Sequence, residues 1–147
     1  MSHLNSLNPT LQKLVLEKIV YVGDVLSANE MARLYQSADA YVSPYRAEGF
    51  NLPVLEAAAC GLPILCTKGG PTEDFVHHSF CWKIDSALRE SEAGNWLEPD
   101  VHHMLHLMEK VMHDSSLQRA AFVLGPLHVA ANYTWDNAVQ KIFDLAG

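Results

Sequence analysis

Residues 43–67 read SPYRAEGFNLPVLEAAACGLPILCT, and the fold turns on this stretch. Its first residues close a short strand, DAYVSP (39–44), which ends at a proline. Asn51 and Pro53 then open a helix, because a proline in the first turn gives up an N–H that has no intrahelical partner anyway. Gly61 stands where a left-handed C-cap belongs, and Pro63 prevents the helix from continuing. PILCT (63–67) follows as a second apolar strand. Strand, helix and strand without a hairpin signal make a right-handed crossover between parallel neighbours.

The same alternation extends in both directions. Upstream, Asn8-Pro9 opens a helix with Leu11, Leu14 and Val15 on its apolar side, and KIVYVG (18–23) reads as a buried strand. SANE (27–30) has capping-box form, with Met31, Leu34, Tyr35 and Ala38 supplying a helical stripe. Downstream, KGGPTEDFV (68–76) is a loop with a short helix, FCWKI (80–84) a fourth strand, and residues 85–95 an irregular connection with some helix. Val101, Met104, Leu105, Met108, Val111 and Met112 form one stripe, and Ser115 or Ser116 caps the next helix. Gly125-Pro126 is expected to bend or break that helix. Thr134 caps a last one, with Val139, Ile142, Phe143 and Ala146 inward. The fold class is therefore α/β: a Rossmann-like, mainly parallel sheet of about four strands flanked by helices.

Bulk properties narrow the function. The 147 residues, 49% hydrophobic, suffice for a single domain spanning 1–147. No apolar run reaches the roughly 20 residues that span a bilayer, and no secretory leader opens the chain, so a cytoplasmic protein is expected. A formal net charge of -7 argues against a nucleic-acid partner. Cys60, Cys66 and Cys81 lack disulfide or zinc spacing and read as buried fillers in a reducing compartment.

The opening stretch also carries chemistry. In open parallel sheets ligands sit beyond the carboxyl ends of the strands, and loop 45–51 lies there and runs into a helix N-terminus. The first N–H groups of that helix are unpaired and carry positive partial charge, and Gly49 admits close backbone approach, so a diphosphate fits without a local lysine. Glu48 precedes the helix and Glu56 lies about one turn inside it, so the two carboxylates flank the phosphate position and suit sugar hydroxyls. The plainer reading is a solvated Glu48 and a Glu56 that merely favours the helix dipole. Arg46 and Lys68 are the nearest cations, each open to a phosphate contact or an ordinary surface position.

Glu48 and Glu56 have E-x7-E spacing, and EGFNLPVLEAAACGLPI resembles the donor-binding signature of retaining GT-B glycosyltransferases of group 1, the glycogen-synthase-like enzymes. VYVGDV, LYQSADAYVSP, GGPTEDF and NYTWDNAVQKIF look like neighbouring parts of the same C-terminal donor domain. The resemblance implies a partial nucleotide-sugar-binding domain that helps to transfer a hexose from a nucleotide-diphosphate sugar. It implies that Glu48 contacts the hexose, Glu56 holds ribose hydroxyls, and Gly49, Phe50, Asn51 and Leu52 face sugar and diphosphate. Val25 and Ser27 would lie near the nucleobase. The donor is a substrate, and no metal or other cofactor is implied.

Asn51 stands where the family usually has glycine. The family's donor domain also normally begins with two further strands, the loop of the first supplying an arginine and a lysine to the diphosphate, and its acceptor is bound by an N-terminal domain. The 147 residues are accordingly expected to be a fragment, inactive alone. Two other readings stand beside this one: a nonenzymatic α/β interaction module that keeps the motif, and a nucleotide-sugar epimerase fragment.

Four further groups lie outside that stretch. His102, His103 and His106 have helical spacing open to a metal but sit opposite the apolar stripe, which favours a solvated face. His77-His78 has no nucleophile placed beside it, and Glu73-Asp74 suits the dipole of a short helix. Trp82, Trp96 and Trp135 read as core residues rather than as sugar platforms.

Overall fold

The computed structural model of the protein describes residues 8–92 and 94–146. Three parallel strands form its sheet: β1 (Tyr41–Ser43), β2 (Ile64–Thr67) and β3 (Cys81–Ile84), in that spatial order, with Leu65 in register with Val42 on one side and Trp82 on the other. All four residues of β2 are buried, as expected of a central parallel strand covered on both faces. Because side chains alternate, Ile64 and Cys66 join one core cluster with Val54, Ala57, Ala58 and Ala121. Leu65 joins a second cluster, with Ile84, Leu107, Val111 and Leu117.

The helices are delimited by their caps. Asn8 accepts from Leu11 N to start α1 (Pro9–Leu16), and Ser27 and Glu30 close the expected capping box of α2 (Ala28–Gln36). The helix of the opening stretch is α3 (Leu52–Ala59). Its end is a Schellman motif: Gly61, at φ 81, donates to Ala58 O, and Leu62 donates to Ala57 O, both at 3.0 Å. Three more helices follow: α4 (Val101–His113), α5 (Ser115–Asn132) and α6 (Trp135–Ala146). Asp100 caps α4 through His103 N, and Thr134 caps α6 through Asn137 N.

Several expectations are corrected. Residues 18–23 are not a strand: a strand needs a ladder partner, none of the described strands supplies one, and Val20 and Tyr21 are 88% and 89% exposed. The parallel sheet accordingly has three strands rather than about four. Residues 85–95 are no irregular connection, since β4 (Ser86–Ser91) and β5 (Gly94–Pro99) pair as an antiparallel hairpin, with Ser91 opposite Gly94. Gly94 takes φ 123 at the turn, which glycine alone adopts readily.

Nor does Gly125-Pro126 break α5. Leu117, Ala121 and Gly125 are buried at four-residue spacing, and packing against α3 outweighs the lost hydrogen bond. Asp114, not Ser115 or Ser116, caps that helix through Ser116 N. Val139, Ile142 and Phe143 on α6 are exposed rather than inward, Trp135 is exposed, and Cys60 is only half-buried. Among the described residues no helix is long and apolar enough to cross a membrane.

Candidate functional site

The loops leaving the carboxyl ends of β1 and β2 are strapped together by Tyr45. Its hydroxyl donates to Thr67 O at 3.1 Å and lies 2.8 Å from Thr72 Oγ1, while Thr67 Oγ1 donates back to Tyr45 O at 2.7 Å. Gly70 packs so closely under this ring that a Cβ there would overlap the Tyr45 hydroxyl. Glu73, in a 3-10 turn at Pro71–Asp74, accepts from Gly69 N at 2.9 Å and pairs with Lys83 Nζ at 3.0 Å. Burial opposes ionisation of Glu73, but Gly69 N–H and Lys83 outweigh it and hold the carboxyl below its ordinary range. Glu73 therefore organises a loop, and the dipole account of it was incomplete.

Between β1 and α3, Glu48, Gly49 and Phe50 lie in an exposed loop, Asn51 ends it and Leu52 opens the helix. Glu48, Gly49 and Leu52 are exposed, and Phe50 stacks on Phe75 with ring centroids 4.8 Å apart. Asn51 is buried and left-handed at φ 70, and its Nδ2 donates to Ser43 Oγ at 3.0 Å, joining the helix start to the end of β1. Its side chain makes no capping bond to α3. The N-terminus of α3 thus opens beside a loop pinned at both ends.

Glu56 accepts from the Tyr35 hydroxyl at 3.0 Å and lines a cavity of about 310 Å³ with Ala28, Met31, Ala59 and Cys60. The Tyr35 ring meets Tyr41 edge to face at 5.7 Å. The Tyr41 hydroxyl is pushed above its usual range, first by burial and then by the charges of Glu56 and Glu48. Tyr35 and Tyr41 were not foreseen as neighbours of the site, because nothing local marks a tyrosine that faces a distant acid.

Other expected residues are committed elsewhere. Ser27 spends its hydroxyl on Glu30, donating to Oε2 at 2.6 Å, and Val25 is fully exposed. Arg46 pairs with Glu98 of the hairpin at 2.8 Å, and Lys68 with Asp85 at 3.5 Å. Among the described residues no three potential ligands gather to hold a metal, and His103 instead takes the Asp85 backbone N–H on Nδ1 at 3.1 Å. His77 Nδ1 faces Ser79 Oγ at 2.9 Å, a contact within its own turn.

Comparison with known proteins then decides the kinship. The family model described as glycosyl transferases group 1 matches residues 4–114. The chain belongs to the group 1 glycosyl transferases. It is 33% identical over 109 residues to sucrose synthase isoform 1 of Daucus carota, covering 74% of this chain and 12% of that protein. Against the D-inositol 3-phosphate glycosyltransferase of Corynebacterium urealyticum the identity is 26% over 117 residues, covering 79% and 24%. Against a sulfoquinovosyl transferase of Arabidopsis thaliana it is 26% over 126 residues, covering 84% and 22%. The chain thus spans a quarter or less of the length of these relatives.

In three dimensions the group 1 chain matches the crystal structure of the C-terminal domain of a glycosyl transferase group 1 family protein from Francisella tularensis. The TM-score is 0.61 at 18% identity, covering 86% of this chain and 62% of the other. The shared architecture is that of a GT-B C-terminal domain, a parallel sheet flanked by helices.

Proposed function

We propose that this chain is the donor-binding part of a retaining glycosyltransferase that moves a hexose from a nucleotide-diphosphate sugar to an acceptor held by another domain. What supports the reading is Glu48 in the exposed loop before α3 together with Glu56 about one turn inside that helix, its carboxylate held by the Tyr35 hydroxyl at 3.0 Å. Glu56 would hold ribose hydroxyls, with Tyr35 fixing its carboxylate. Glu48 would meet the hexose, and the backbone from Gly49 to Leu52, at the positive end of the helix, would receive the diphosphate. The Val25–Ser27 segment precedes α2, beside the Glu56 cavity, and suits the nucleobase through its backbone.

The protein's contribution to catalysis is then to hold donor against acceptor and to stabilise charge on the departing diphosphate. With Arg46 and Lys68 already paired, the cations for that charge come from outside these residues, and the segment alone transfers nothing. The donor is a substrate and no metal is invoked. Three free thiols fit a reducing, cytoplasmic setting.

Isothermal titration of the intact protein with UDP-glucose, GDP-mannose and ADP-glucose tests the proposal. One of them is expected to bind, and Glu56→Ala is expected to weaken it at least tenfold, on the scale of a lost charged hydrogen bond of roughly 1.5–3 kcal/mol. Binding of none, or binding indifferent to Glu56→Ala, would sink the donor-site reading.

A further inference from the structure

The β4–β5 hairpin stands apart from the parallel sheet, yet it touches the segment following each of the three parallel strands. After β1, Leu97 N donates to Arg46 O at 2.8 Å and Arg46 Nη2 donates to Glu98 Oε1 at 2.8 Å. After β2, Ser86 Oγ donates to Lys68 O at 2.7 Å, and Leu97 packs against the core cluster that contains Tyr45. After β3, Asp100 N donates to Asp85 O at 2.7 Å and closes the base of the hairpin.

Glu98 is itself held in place. Its second oxygen accepts from Trp96 Nε1 at 3.2 Å, so the carboxylate has a fixed donor on each side. The Arg46 and Trp96 hydrogen bonds keep its pKa below the ordinary carboxylate range. Arg46, the cation nearest in sequence to the phosphate position, is thereby turned toward the hairpin, two residues before Glu48.

We propose that the β4–β5 hairpin is a clasp that positions the loop carrying Glu48, with Arg46 and Glu98 acting as positioning residues for hexose recognition rather than as donor contacts. The inference rests on the donor-site reading above. It makes a distinction that a phosphate role for Arg46 does not: the clasp acts on the sugar end of the ligand and leaves the nucleotide end alone. An exposed ion pair sets the scale, a factor of roughly two to five in affinity.

The test compares UDP with UDP-glucose, GDP with GDP-mannose and ADP with ADP-glucose on the intact protein, in Arg46→Met, Glu98→Gln and the charge swap Arg46→Glu/Glu98→Arg. Each single variant is expected to lower sugar-nucleotide affinity about two- to fivefold with free-nucleotide affinity unchanged, and the swap, which restores the ion pair but removes the acceptor of Trp96 Nε1, to recover part of it. Amide exchange at Leu97, whose N–H bonds Arg46 O, is expected to quicken in the single variants while that of β2 stays slow. Equal weakening of nucleotide and sugar nucleotide in Arg46→Met would make Arg46 a phosphate ligand and overturn the clasp. Unchanged affinities, or unchanged exchange at Leu97, would overturn it as well. A wild-type protein that binds none of the six ligands defeats the donor-site reading, and the clasp's role in recognition falls with it.

Discussion

At Asn51 a single residue does two things at once. Its backbone sits at φ 70 and ψ 58, where a Cβ is costly, and its amide reaches Ser43 Oγ at 3.0 Å. Asparagine tolerates the left-handed region better than most residues, and glycine better still. Asn51→Ala is therefore expected to destabilise by roughly 1–3 kcal/mol, from left-handed strain plus a lost buried hydrogen bond. Asn51→Gly relieves the first cost while losing the bond, and is expected to stay within about 1 kcal/mol of wild type. Urea denaturation of the three proteins measures this, and an alanine variant as stable as the glycine one would refute it. At the level of sequence Asn51 opens a helix where the family usually has glycine; its left-handed backbone and its bond to Ser43 emerge only in the fold.

Among the elements, α3 and α5 meet main chain to main chain. A Cβ on Gly125 would lie 2.5 Å from Ala58 O, and one on Gly61 would lie 3.1 Å from the Phe122 Cα. Gly125→Ala raises helix propensity by about 1 kcal/mol yet forces the helices apart, so overpacking wins and a net loss of roughly 1–2 kcal/mol is expected. A shift of the thermal midpoint upward would show that α5 gives way freely. Element type was legible wherever caps and periodicity agreed, as in α2 with its Ser27/Glu30 box and in the strand–helix–strand unit between Tyr41 and Thr67. It was illegible where a partner decides. Residues 18–23 have a strand's composition and no ladder to join among the described residues, whereas β4 and β5 have weak strand composition and one another. The lone Gly94 was too small a signal for a hairpin, and Pro126 too strong a one for a break.

For the whole molecule, the carboxylates set the response to acid. Glu30, Glu73, Glu98, Asp100 and Asp114 all have folded-state pKa values below their ordinary ones, chiefly through hydrogen bonds and ion pairs. A depressed folded pKa gives stability that is complete above the unfolded value and lost as pH falls through the folded one. Stability is thus expected to be level from neutrality to about pH 5 and to decline below about pH 4, read as the urea midpoint against pH. A midpoint that rises on acidification would contradict the sign. At this scale the sequence made the two glutamates and their loop legible, because they are local to one helix start. The straps from Tyr45, Glu73 and the hairpin were not, because each joins residues more than a few positions apart or depends on a strand pair the composition hid. The bare contact of α3 with α5 has one more consequence. With no rotamers to freeze between Gly61, Gly125 and the backbone they touch, that junction is made at little side-chain entropy cost. The helix that follows Asn51 is therefore anchored at its far end by a joint with few alternative packings, and disorder in the loop before it need not travel along it.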